Sequence, residues 1–238
     1  MIAILFGFTL GTAVGACNRA HYSSYGSSVY ITPLPSNSHN SLAFMDIARY
    51  RAGLFTTHQS VCGRVVIELF DSISPVSTTN FRGLCQGKHG TSGTGHKLCY
   101  SGTRLLPNEC FIRGGDVTFG SAAGGWSIYG RSFREMAKGS SSSSSRSSDV
   151  KGKGLVYAVG ANAQWGSEFL ITVDGFTPGE DHILLGQVVE GYDVLQRLQQ
   201  QSLLPHAKRF IHYRILKAGV LKEAETPNYG KGSAFLRF

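Results

Sequence analysis

Apolar and β-branched positions are densest from Val61 to Phe70, where Val65, Val66, Ile67 and Leu69 predict a core strand. Ser41–Ala48 reads as a shorter strand before it, and residues 49–60 as a loop insertion. Ser74-Pro75 predicts a helix start, with Ser as cap and Pro at the first helical position. Val76, Phe81, Leu84 and Cys85 follow at near-helical spacing, and Gly87 is the C-terminal stop. Lys88–Lys97 is a Gly-rich polar loop, and Leu98–Thr103 and Phe111–Asp116 are short strands. Leu155–Val159, Glu168–Val173 and Ile183–Val189 add three strands. Glu190–Gln200 is a second helix with Val194, Leu195 and Leu198 inward, and Arg209–Leu221 a closing strand. Two helices cannot serve seven or eight strands in a repeating βαβ order. The pattern predicts a mainly β fold: a closed antiparallel barrel with helices over its ends.

Outside this pattern, residues 2–16 form an uncharged apolar run. It is short for a membrane span and lacks a basic leading segment, so a signal-peptide core and a docking arm both fit it. Residues 18–40, rich in Ser, Asn, Tyr and Pro, have no period and read as an irregular arm. Ser140–Ser148 is serine apart from Arg146 and reads as a surface loop. The expected organisation is an N-terminal arm over 1–40, one domain over 41–221 and a basic tail over 222–238.

Composition narrows the picture only slightly. With 42% hydrophobic residues and 14 Phe, the 238-residue chain can bury one real core. A net charge of +8 favours acidic partners, such as a microtubule wall or a ribonucleoprotein, without choosing among them. The five cysteines are odd in number and show no C-x-x-C spacing, which predicts buried thiols in a reducing compartment, cytoplasm or cilium, rather than a disulfide framework or zinc site. The histidines show no paired metal-ligand spacing, so no metal is expected, and neither a P-loop nor a dinucleotide fingerprint is present to predict a cofactor.

The candidate chemistry lies in Gly102–Asp116. It sets Arg104 ahead of the apolar pair Phe111 and Ile112, with a Gly114-Gly115-Asp116 turn behind. Alone, this is a hairpin with a surface arginine. Ser167, Asp181 and His182 lack the G-x-S-x-G elbow of a hydrolase. Lys151-Gly-Lys-Gly154 lacks the P-loop frame.

Six segments change that balance. Gly63–Phe70, Pro75 with Asn80–Cys85, Arg104–Asp116, Gly124–Gly130, Gly166–Phe169 and His182–Gly191 together resemble the cyclophilins, in that family's order and close to its spacing. The resemblance covers roughly residues 41–221. It implies an eight-stranded barrel capped by two helices, and catalysed rotation about X–Pro bonds in protein segments. Peptide resonance sets a barrier of about 18–20 kcal/mol to that rotation. A guanidinium aimed at the prolyl nitrogen lowers it by binding the twisted state best. The resemblance places Arg104 as that donor and Phe111, Arg113, Glu168, Leu170 and His182 as the substrate-binding set. The chain also departs from the family. One extra residue lies between Pro107 and Gly114, Arg113 and Glu168 replace glutamines, Val159 replaces an asparagine, and Leu170 replaces a phenylalanine. The family's tryptophan region reads Thr177–Glu180 and is one residue short. These changes predict weak isomerase activity or none, poor binding of cyclosporin-type ligands, and an Arg113–Glu168 or Arg104–Glu168 ion pair. The alternative they leave is a decayed barrel serving as a structural subunit.

Overall fold

In the computed structural model, the described residues are 30–53, 56–118, 125–135, 150–204 and 211–222. The apolar run 2–16, the serine-rich loop and the tail beyond Lys222 lie outside them. Eight antiparallel strands close into a barrel: β1 (Ser41–Ala52), β2 (Thr57–Leu69), β3 (Arg104–Pro107), β4 (Phe111–Gly114), β5 (Leu155–Ala161), β6 (Gln164–Thr172), β7 (His182–Glu190) and β8 (Ile211–Lys222). Their order around the wall is β1-β2-β7-β5-β6-β4-β3-β8, so every strand has two neighbours. Helices α1 (Pro75–Gln86) and α2 (Tyr192–Leu203) complete the fold.

Alternation along the strands turns Ile67, Ile112, Val156, Phe169 and Ile171 inward into one apolar cluster. Phe81, Leu84 and Cys85 of α1, and Val194, Leu195 and Leu198 of α2, join the same cluster. Phe81, Tyr100 and Phe169 meet at ring-centroid distances of 5.1–5.4 Å, in tilted and edge-on contacts. Gly63, at φ +145°, lets α2 approach: a Cβ there would sit 2.6 Å from Val194 Cγ2.

Three local expectations fail. Residues 49–60 are paired ladder as far as it is described, with Arg49 opposite Ser60 and Ala52 opposite Thr57. They carry few apolar side chains because this end of the hairpin has no core face. Leu98–Thr103 is turn and irregular backbone; Leu98 and Tyr100 are apolar because they pack into the core, not because they alternate. Ser74 does not cap α1 with its side chain. Its hydroxyl donates to Leu184 O, while the Val76 and Ser77 N–H groups donate to the Glu135 carboxylate at 3.1 and 2.7 Å. Pro75 and Gly87 (φ +65°) do bound the helix as expected.

The described end of the N-terminal arm is irregular but docked. Tyr30 stacks on Tyr192 at 4.1 Å and donates its hydroxyl to Val188 O at 2.8 Å. Buried Glu68 accepts from Asn37 N (2.7 Å), Asn40 Nδ2 (2.8 Å) and Gln187 Nε2 (3.0 Å). Burial pushes its carboxyl up, but these hydrogen bonds outweigh it and hold the group below its ordinary value. Cys62, Cys85 and Cys99 are free, whereas Cys110 is disulfide-bonded. The thiol reading therefore fails at Cys110: an odd count and the lack of C-x-x-C speak only against local pairs. Cys17 lies outside the described residues.

Candidate functional site

The expected site residues stand on the outer face of the wall, across the adjacent strands β3-β4-β6-β5-β7. Leu106 pairs with Arg113, Arg113 with Leu170, Leu170 with Tyr157, and Val159 with His182. Opposed residues share a face and so do i, i+2 positions, so Arg104, Phe111, Arg113, Glu168, Leu170 and His182 all stand on it. Gly115, at φ +84°, turns the chain out of β4; a Cβ there would meet the Ser167 carbonyl oxygen. The extra residue of the β3–β4 hairpin is absorbed at its tip. Asn108 Oδ1 accepts the N–H groups of Cys110 and Phe111, both at 2.8 Å. Phe111 is thereby presented to the face, and Cys110 is buried beneath it.

An apolar wall forms there from Phe111, Tyr157, Leu170 and Leu184. The sequence reading missed the residue that fills it. Phe176, from the β6–β7 loop, is 6% exposed and packs its ring 5.2 Å from Phe111, 5.3 Å from His182 and 6.2 Å from Tyr157. The only signal in the sequence was an aromatic residue just before the shortened Thr177–Glu180 stretch.

His182 is 8% exposed, and its Nδ1 accepts the Gly179 N–H at 3.1 Å. Burial holds its pKa below the ordinary value, so it faces Phe176 as a neutral ring. Ser167 lies under the wall: its hydroxyl accepts from Trp126 N at 3.1 Å, and its carbonyl accepts from the Tyr100 hydroxyl. Ser167 and His182 thus belong to opposite faces and form no triad.

The polar members divide into two pairs. Arg113 Nη2 donates to Glu168 Oε2 at 2.7 Å, the ion pair expected from the paired replacements. Arg113 Nε and Glu168 Oε1 are buried with no hydrogen-bond partner. Burial pushes the Glu168 carboxyl above its ordinary value, and Arg113 only partly offsets this. Arg104 turns the other way. Its Nη2 lies 3.1 Å from Nδ1 of His212 on β8, away from Arg113 and the apolar wall. That contact requires a neutral His212, since only an unprotonated Nδ1 accepts. Burial, then Arg104 and Arg214, keep the His212 pKa low. His212 was not foreseen, because only the β3–β8 register brings it beside Arg104.

Among the described residues, no cluster of three or more His, Cys, Asp or Glu could hold a metal ion, and no helix is long and apolar enough to cross a membrane. What the face offers is one ion pair beside an apolar wall, with the Arg104 guanidinium on the same face but turned toward β8. The family model for cyclophilin type peptidyl-prolyl cis-trans isomerase/CLD matches residues 54–220, well over half of the chain. With the closed barrel and two helices, this match makes the chain a member of the cyclophilin family.

Proposed function

We propose that this protein is a weak peptidyl-prolyl cis-trans isomerase acting on X–Pro bonds of protein segments. The observation that supports this most is the sharing of one outer face by Arg104 and the apolar wall of Phe111, Leu170 and His182. In this reading the proline ring displaces Phe176, and Arg104 leaves His212 to donate to the prolyl nitrogen as the amide twists. Both moves cost free energy, and that cost is the reason for weak activity. Arg113 and Glu168 then bind the backbone flanking the proline.

A proline-peptide isomerisation assay on wild-type and Arg104→Ala protein tests the proposal. The wild type should exceed the solvent rate and the variant should not. A wild-type rate equal to solvent would leave a second reading, a barrel that binds without catalysis inside a large assembly with an acidic surface. The inward packing of Phe176 favours that second reading. Within the family, the Phe81-containing helix α1, the Asn108–Ile112 run and the Gly186–Gly191 turn look most like peptidyl-prolyl isomerase-like protein six, and we propose that placement on those residues.

A further inference from the structure

A second site lies at the free end of the β1–β2 hairpin, away from the groove. Arg49 pairs with Ser60 and Arg51 with His58, so all four side chains stand on one face of the hairpin. A cavity of about 390 Å³ is lined by Arg49, Arg51, His58 and Ser60. A second, of about 240 Å³, shares Arg49 and Ser60 with the first. It runs under α2 to Arg197, Gln201, Tyr213 and Cys62. No carboxylate lines either cavity among the described residues. Arg49 donates to the neutral Gln201 Oε1 at 3.3 Å, and Gln201 also accepts the Tyr213 hydroxyl at 3.2 Å. Arg197 meets Asp193 at 3.1 Å, but both side chains are more than half exposed, so the pair is weakly held and an anion can compete for Arg197. Arg49 and Arg197 both act on the Cys62 thiol, drawing its pKa down against the larger upward push of burial. Arg49 and Arg197 thus both line the smaller cavity.

We infer that this hairpin end and α2 form a binding site for a phosphate group, held by Arg49 and Arg197 with Arg51, His58 and the Ser60 hydroxyl around it. Guanidinium forks match phosphate oxygens in pairs, and a neutral hydroxyl accepts or donates as the protonation state requires. Like charges gathered around cavities that no carboxylate lines repel one another, and a bound anion relieves that repulsion. The smaller cavity lies below the range of about 300–1,000 Å³ that drug-sized ligands occupy, which suits a compact anionic group.

The test is titration of the full-length protein at low ionic strength with inorganic pyrophosphate and, separately, with a phosphoserine peptide and its unphosphorylated twin. Saturable binding is expected, and the tighter of the two phosphate ligands identifies the source. Affinity should fall by about tenfold for each lost charge-assisted contact in Arg49→Gln and Arg197→Gln. Arg64→Gln, at the separate Arg64–Asp46 pair, should leave it unchanged. If Arg49→Gln fails to fold, exposed Arg51→Gln provides the same comparison. Bound phosphate should also slow alkylation of Cys62, because it neutralises the charges that favour the thiolate. No saturable binding, equal binding of the unphosphorylated peptide, undiminished affinity in the variants, or an unchanged Cys62 rate at saturation would each overturn the assignment.

Discussion

The two faces of the β5–β6–β4 wall are both apolar, but they are filled by different means. Inside, Ile112, Val156, Phe169 and Ile171 come from the strands themselves, and alternation alone points them together. Outside, the strands supply only walls, and Phe176 arrives from a loop to cover them. An interior made by periodicity cannot be vacated without losing the fold. A surface hollow closed by one loop side chain can open at the cost of that side chain's contacts.

Substitution of the two rings breaks or confirms this contrast most sharply. Phe169→Ala, inside, should lower stability by about 3–5 kcal/mol in denaturant unfolding. Phe176→Ala should cost clearly less and should tighten binding of a proline peptide. Equal costs, or weaker peptide binding, would mean that Phe176 is as integral as Phe169.

Glu68 comes next. Its folded-state pKa lies below the ordinary value of 4.5, so its stabilising contribution is present above that value and lost as pH falls through the lowered one. Glu68→Gln should remove this part of the acid limb and cost about 1–3 kcal/mol near neutrality, read by thermal unfolding across pH.

The polar pairs of the outer face allow subtler tests. Replacing both Arg113 and Glu168 by Gln removes the ion pair that holds these two side chains to each other and leaves neutral amides to hydrogen-bond the substrate backbone, and the isomerisation rate should rise. His212→Ala should raise it too, by releasing the Arg104 guanidinium. A fall would mean that His212 holds Arg104 in its working pose. The smallest effect on stability belongs to Arg104→Ala, within about 0.5 kcal/mol in the same unfolding assay, even as catalysis vanishes.

How far the sequence led follows the same division. Val65–Leu69, Pro75 and Gly87 announced their elements because each signal is local. The resemblance named Arg104 to His182, and the strand registers set these residues on one outer face with the Arg104 guanidinium turned to His212. Three features were not legible. Glu135 caps α1 from about sixty positions away in sequence. His212 meets Arg104 only through the β3–β8 pairing. Phe176 lies in a loop with no period to read. The hairpin end at Arg49–Ala52 and Thr57–Ser60 was mistaken for a loop because its pairing rests on backbone hydrogen bonds without a buried face.

The position of β1 has a practical consequence. The family match starts at residue 54, yet Ser41–Ala52 is the stave that joins β2 to β8. A fragment cut to the matched span would spring the cylinder open and bare two long unpaired strand margins, each a template for intermolecular pairing. Recombinant work that begins at the matched boundary should therefore yield aggregates, and the full chain should yield monomers on size-exclusion chromatography.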